Sequence, residues 1–129
     1  NFPQFADPSH TVRLGGGVAL KYNAAQKYTT DALSASLFRL CCERAGVRVQ
    51  PYANRADLPG GSTLGNLSNA QVSLLAADIG IPQLSMHAAV ETAAVSDVMD
   101  FERAVGAFYA SRLVKSGDRY DLEWERTTR

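Results

Sequence analysis

Short apolar runs bounded by turn residues predict four β-strands along the chain. Residues 18–22 form the first run, and residues 47–52 alternate between apolar and polar side chains. Pro51 places this second strand near an end or at an edge of a sheet, because proline has no backbone N–H to donate. Residues 75–80 lead into Gly-Ile-Pro and predict a buried strand, and residues 120–124 predict a short strand in the charged tail.

Apolar residues spaced three and four positions apart predict a long helix over residues 30–45. Its expected buried face is made of Leu33, Leu37, Leu40 and Cys41. Thr29 or Thr30 can cap the start of this helix, and Asp31 suits its first turn. Gly46 suits the left-handed residue that ends a helix, so the sequence marks both ends of this element.

A second long helix is predicted over residues 97–112, with Ser96 or Asp97 as its cap. Its apolar stripe comprises Met99, Phe101, Val105, Phe108 and Tyr109. A loop over residues 57–63 is expected to lead into a short helix that runs from residue 63 to about residue 74. Residues 86–94 favour neither a helix nor a strand.

The alternation of strands and helices predicts an α/β layered fold. Three glycines at residues 15–17 predict a flexible approach to the first strand. A few short strands and two good helices make a thin core for a self-sufficient α/β domain. We therefore expect this chain to form part of a sheet whose other strands lie elsewhere.

Composition and charge argue against several kinds of partner for this chain. The 129 residues suit one domain, and 13 basic residues balance 13 acidic ones, which argues against a nucleic-acid partner. No apolar run approaches the ~18 residues that span a bilayer, so no membrane partner is expected. Cys41 and Cys42 are adjacent, which disfavours a disulfide and indicates a reducing, cytoplasmic setting.

Several residues are candidates for chemistry. His87 follows the predicted buried strand, where open α/β sheets bind ligands, although a lone histidine is more often structural. If this segment is helical, Glu91 shares a face with His87 and either orients the imidazole or forms a plain surface pair. Lys21 at a strand end could bind a substrate anion or remain solvated. Residues 60–65 could cradle an anion before a helix or form an ordinary turn.

Three segments of the chain resemble motifs of the aspartyl aminopeptidase and vacuolar aminopeptidase I family. Residues 21–31 are similar to the family's "IKxNxxQRYATD" segment, and residues 54–65 are similar to its "NRSDxxCGSTIGP" loop. Residues 78–91 are similar to "DVGxPQLAMHSxRE". The three motifs occur in the family's order and at similar spacing, and the likeness covers nearly residues 14–110.

The resemblance implies a partial three-layer sandwich in which a mixed sheet is flanked by helices. It implies a hydrolase with two zinc ions per complete site, or cobalt or manganese, that removes acidic or neutral N-terminal residues from peptides. His87 falls at the position of the last metal ligand, and Lys21 and Tyr28 fall at positions that contact substrate. The family also implies a homo-oligomer, typically a dodecamer.

The same resemblance implies that residues 1–129 are only the C-terminal portion of the catalytic domain. The general-base Glu, the other metal ligands and an inserted dimerisation domain are expected upstream, in the remainder of the same polypeptide. This chain alone is therefore expected to be inactive. An alternative is a catalytically inert assembly or binding module of the same fold, and a third hypothesis is a phosphate-binding domain that uses residues 60–63.

Overall fold

Three helices and seven strands occur in the part of the chain that the structure, a computed structural model, describes: residues 7–58 and 61–124. In chain order they are β1 Val18–Tyr22, α1 Ala32–Ala45, β2 Val49–Ala53, α2 Leu64–Gln71, β3 Ile79–Gly80, β4 Gln83–Leu84, β5 Thr92–Ala93, α3 Val95–Tyr109, β6 Ser111–Ser116 and β7 Arg119–Trp124. Among the described residues, no helix has the length and apolar character required to span a bilayer.

The central sheet is mixed and has the strand order β2-β1-β3. β1 pairs in parallel with β2, from Val18 opposite Val49 to Tyr22 opposite Ala53. β3 pairs antiparallel with β1 on the other side. The predicted α/β class with a mixed sheet is confirmed, and Pro51 lies in an edge strand as its missing N–H requires.

Both long helices pack on the face of β1 that presents Val18 and Leu20, which are fully buried. α1 contributes Ala35, Phe38 and Cys42 to this core, and α3 contributes Ala104. The face predicted for α1 is only partly right, because Leu40 is 47% exposed whereas Ser34 and Ala35 are buried. Leucine spacing overlooks small residues, which let two helices approach each other closely.

The ends of α1 are set by local hydrogen bonds. Asp31 is the N-cap: its Oδ1 accepts the Ser34 N–H at 2.7 Å, and the Ser34 Oγ accepts the Asp31 N–H at 2.9 Å. Gly46 ends the helix at a φ of 64°, as predicted. The prediction that Thr29 or Thr30 caps α1 is wrong, because both bond to Asp78 instead.

The glycines before β1 are held in place rather than flexible. Asp97 in the first turn of α3 is fully buried, and its Oδ2 accepts the Gly15 N–H at 2.7 Å. Its Oδ1 accepts the Gly17 N–H at 2.9 Å. A Cβ at Gly17 would lie 2.2 Å from the Arg48 carbonyl oxygen, so only glycine fits. The prediction that Ser96 or Asp97 caps α3 is wrong, since the N-cap is Ala94.

The remaining elements differ in length from the predictions. Of the strand predicted over residues 75–80, only Ile79–Gly80 forms a strand, which is β3, and Leu75 is 44% exposed. The helix predicted from residue 63 ends at Gln71. The strand predicted at residues 120–124 is confirmed as β7, and it pairs antiparallel with β6, which the sequence pattern did not predict.

Candidate active-site cleft

A cleft of about 310 Å³ opens at the carboxyl ends of the parallel strands β1 and β2. Such strand ends are the usual binding edge of an open α/β sheet. The cleft is lined by Lys21, Tyr28, Tyr52, Asn54, Arg55, Leu58, Gly61, Ser62, Thr63, Met86 and His87. These residues come from all three motif segments, so the fold brings together side chains that are far apart in sequence.

Lys21 and Tyr28 form one wall of this cleft. The Lys21 Nζ lies 5.6 Å from the centre of the Tyr28 ring, within the range of a cation–π contact. Tyr28 lies in the loop between β1 and α1 and is only 9% exposed. Burial raises the pKa of Tyr28, the neighbouring Asn54 side chain lowers it, and the charge of Asp78 raises it. The net shift is upward, so near neutral pH the phenol keeps its proton and can donate a hydrogen bond.

Asp78 organises the loop that carries Tyr28. Its Oδ2 accepts the Thr29 N–H at 2.7 Å and the Thr29 hydroxyl at 3.0 Å. Its own N–H donates to the Thr30 Oγ1 at 2.7 Å. Gly65 of α2 lies against the same loop, because a Cβ there would be 2.8 Å from the Thr29 methyl group. Asp78, a carboxylate near a strand end, is therefore used to hold the wall of the cleft.

His87 is exposed and lines the cleft from a turn, not from a helix. Its φ of 70° is left-handed, which is uncommon for a residue with a side chain. The Glu91 Oε1 accepts the backbone N–H of His87, and the Gln83 Nε2 donates to the Glu91 Oε2 at 3.2 Å. The idea that Glu91 shares a helix face with His87 is therefore wrong. Glu91 supports the backbone of the turn and not the imidazole ring.

Arg55 and residues 61–63, which lead into α2, also line the cleft. Gly60, part of the predicted anion loop, lies outside the described residues. Thr63 is the N-cap of α2 but makes no side-chain capping bond. The Arg55 guanidinium bonds to both oxygens of Asp57, which lowers the pKa of that carboxyl group. Asp57 therefore neutralises part of the positive charge beside the cleft.

Tyr52 and Asn54 also line the cleft, although the sequence pattern did not single them out. The available signal is the parallel register, which sets Tyr52 beside Lys21. Burial, followed by the neighbouring Tyr28, raises the pKa of Tyr52. Local sequence motifs do not show which strands pair, so the position of Tyr52 is evident only from the tertiary structure.

The donor set for a metal is incomplete within residues 7–58 and 61–124. These residues contain no group of three or more His, Cys, Asp or Glu side chains that could hold a metal ion. A catalytic zinc ion takes three protein ligands, and His87 is the one histidine among the described residues that line the cleft. The described residues therefore do not by themselves form a complete metal centre.

The family of the chain follows from its similarity to known proteins. Residues 1–109 match the protein family described as aminopeptidase I zinc metalloprotease (M18). The chain belongs to this family, which confirms the resemblance that the three motif segments indicate. Zinc is the metal that the family description names.

Individual relatives agree with this assignment. The probable M18 family aminopeptidase 2 of Mycobacterium leprae is 39% identical over 113 residues, which are 88% of this chain and 26% of that protein. A chain of the Ape4 and Nbr1 complex, solved by cryo-EM, superposes with a TM-score of 0.79 and 31% identity over 84% of this chain and 21% of its own length. The crystal structure of yeast aminopeptidase 1 (Ape1) superposes with a TM-score of 0.70 and 25% sequence identity. This match covers 84% of this chain and 23% of the yeast chain. The chain thus spans about a quarter of the length of the curated relatives that it matches.

Proposed function

We propose that residues 1–129 form the C-terminal portion of the catalytic domain of a zinc aminopeptidase. The enzyme would remove acidic or neutral N-terminal residues from peptides. The observation that carries this proposal is the cleft, where Lys21, Tyr28 and His87 from separate segments lie along one surface of about 310 Å³. Family membership supplies the reaction class to which these side chains are suited.

Each of the three residues has a role that fits its chemistry. The Lys21 ammonium group would bind a peptide carbonyl oxygen or a substrate carboxylate. The Tyr28 phenol, protonated near neutral pH, would donate a hydrogen bond to the carbonyl that reacts. The exposed His87 imidazole would occupy one ligand position of a two-metal centre that holds zinc, with cobalt or manganese as alternatives.

The remaining parts of the centre would come from an upstream segment of the same polypeptide. That segment would supply the other ligands and the general-base Glu, and a dimerisation domain would be inserted within it. Because the described residues hold no cluster of metal ligands, we expect this chain alone to be inactive.

The complete protein would be a cytoplasmic homo-oligomer, and a dodecamer is the assembly we propose. An apolar cavity with exposed aromatic side chains supports packing against another subunit, and two free thiols support a reducing environment. A largely apolar cavity of about 530 Å³ lies between α1, α3 and the β6–β7 hairpin, and Phe108 and Tyr109 beside it are 54% and 77% exposed. Cys41 and Cys42 are buried free thiols. Peptides are the expected substrates, with no nucleic-acid or membrane partner.

The alternative of an inert assembly module is less favoured, because the cleft keeps residues from all three motif segments. The two functions differ in one experiment. If the enzyme proposal is right, joining the upstream segment to residues 1–129 restores peptide hydrolysis. If the chain is an inert assembly module, the joined polypeptide remains inactive.

The assignment of His87 is tested by His87→Ala in that complete polypeptide. Hydrolysis of Asp-, Glu- and Leu-p-nitroanilides should fall by orders of magnitude, and the bound zinc measured by mass spectrometry should fall with it. His10→Ala is the matched control, because His10 is exposed, pairs with Asp7 and lies outside the cleft. Turnover and zinc content that stay at the wild-type level in His87→Ala would overturn the assignment.

A further inference from the structure

Asp78 joins the two chain segments that carry Lys21 and Tyr28. Its carbonyl oxygen accepts the Lys21 N–H at 2.8 Å, which fixes the main chain of Asp78 to strand β1. Its Oδ2 accepts the Thr29 N–H at 2.7 Å and the Thr29 hydroxyl at 3.0 Å. One residue therefore holds the main chain at Lys21 and, through its side chain, the residue next to Tyr28.

Helix α2 packs against the same carboxylate. Gly65 is the second residue of α2, and a Cβ there would lie 2.8 Å from the Thr29 methyl group and 3.2 Å from the Asp78 Oδ2. Thr29, Gly65 and Asp78 belong to the three different motif segments of the sequence. All three segments therefore meet behind the cleft at the Asp78 carboxylate.

The Lys21 side chain also lies against the segment that begins at Asp78. A Cβ at Gly80 would be 3.0 Å from the Lys21 Cε and 3.4 Å from its Nζ, so the side chain runs close to the main chain of β3. The Lys21 Nζ lies 5.6 Å from the centre of the Tyr28 ring. The spacing of these two side chains in the cleft thus depends on residues 78–80.

We propose that Asp78 is a positioning residue, which sets the spacing between Lys21 and Tyr28 and so aligns the Tyr28 phenol with the carbonyl group of a bound peptide. This inference rests on the proposed function of Lys21 and Tyr28. Asp78 is not among the residues that line the cleft, and its carboxylate acts through Thr29. A carboxylate is suited to this task because one oxygen can accept two hydrogen bonds, here from both donors of Thr29.

The hold on the Tyr28 loop is tested on this chain by amide hydrogen exchange, measured by NMR. Asp78→Ala should raise the exchange rate of the Thr29 amide about 10- to 100-fold, because a hydrogen bond to a charged acceptor is lost. Asp7→Ala is the matched control, since Asp7 also accepts a loop N–H, from Ser9 at 2.8 Å, but lies outside the cleft. It should leave the Thr29 rate unchanged. An unchanged Thr29 rate in Asp78→Ala would overturn the proposal.

Action through Tyr28 is tested by kinetics in the complete polypeptide. Asp78→Ala should lower kcat about 10- to 100-fold with a smaller change in KM, as expected when a group that contacts the reacting carbonyl is misplaced. In a Tyr28→Phe background the same substitution should cause no further loss of kcat. Losses that add in the double variant would overturn the proposal.

Two substitutions at Thr29 test the same contact while the charge of Asp78 is kept. Thr29→Val retains the shape of the side chain but removes the hydroxyl, whereas Thr29→Ser retains the hydroxyl. Thr29→Val should lower kcat roughly 3- to 10-fold, and Thr29→Ser should keep the wild-type kcat. Equal kcat values in these two variants would overturn the proposal. A wild-type complete polypeptide without peptidase activity would instead refute the proposed function, while hydrogen exchange would still decide whether Asp78 holds the Tyr28 loop.

Discussion

Replacing Asp97 by alanine removes the carboxylate that ties the glycine segment before β1 to helix α3. Asp97 is fully buried, and its two oxygens accept the N–H groups of Gly15 and Gly17 at 2.7 and 2.9 Å. The carboxylate also lies in the first turn of α3, where the helix dipole favours a negative charge. Its loss therefore breaks two hydrogen bonds that link positions about 80 residues apart.

The size of the effect follows from these contacts. A hydrogen bond to a charged group contributes about 1.5–3 kcal/mol, and each buried donor left without a partner costs about 1–3 kcal/mol. These two descriptions overlap, so we expect Asp97→Ala to lower the free energy of unfolding by about 3–5 kcal/mol. Asp97→Asn retains one acceptor oxygen and should lose about half of that. For a chain of this length, the larger loss lowers Tm by roughly 10–20 °C.

The measurement is urea unfolding followed by circular dichroism at neutral pH. Asp100→Asn is the matched control, because Asp100 is a buried acid of the same helix whose partner Arg103 has a side chain that is 57% exposed. That control should cost at most about 1 kcal/mol. An Asp97→Ala variant within about 1 kcal/mol of the wild type would refute the reasoning, since the two hydrogen bonds would then contribute almost nothing to stability.

Three substitutions and one labelling reaction test other parts of the fold. Gly17→Ala should disrupt folding because its Cβ would lie 2.2 Å from the Arg48 carbonyl oxygen, whereas Gly46→Ala, with open space at φ 64°, should cost only about 1–2 kcal/mol in thermal unfolding. Asp31→Ala should cost about 1 kcal/mol near neutral pH. The backbone N–H of Ser34 in the first turn of α1 bonds to the Asp31 carboxylate and holds the pKa of Asp31 below its usual 3.8. This stability is therefore present above pH 3.8 and is lost as the pH falls through the folded pKa. The wild type and the variant should converge in acid unfolding curves, and a stability difference that stays constant with pH would contradict this cause. Burial, together with the adjacent thiol, raises the pKa of Cys42 to about 12, so iodoacetamide at pH 8 should label it only after unfolding, and rapid labelling of the folded chain would contradict this.

Local patterns in the sequence predicted the elements whose signals are local. β1 was predicted at its observed bounds, and Gly46 ends α1 as predicted, because a short apolar run and a left-handed glycine act over a few residues. Elements without such a signal were missed: β6 is a polar strand that exists because it pairs with β7. The predicted strand over residues 75–80 was too long, because apolar character alone does not provide a neighbouring strand.

The sequence by itself determined the α/β class, the end of the first helix at Gly46 and the motif segments that indicate the family. Only the tertiary structure decided how Lys21, Tyr28 and His87 share one cleft, since that depends on the parallel register of β1 with β2 and on a turn at His87. It also decided that Asp97 is a buried anchor rather than a helix cap. The physical reason is distance along the chain: propensities and caps act within one helical turn, whereas a buried carboxylate takes its partners from wherever the packed chain places an unpaired N–H group.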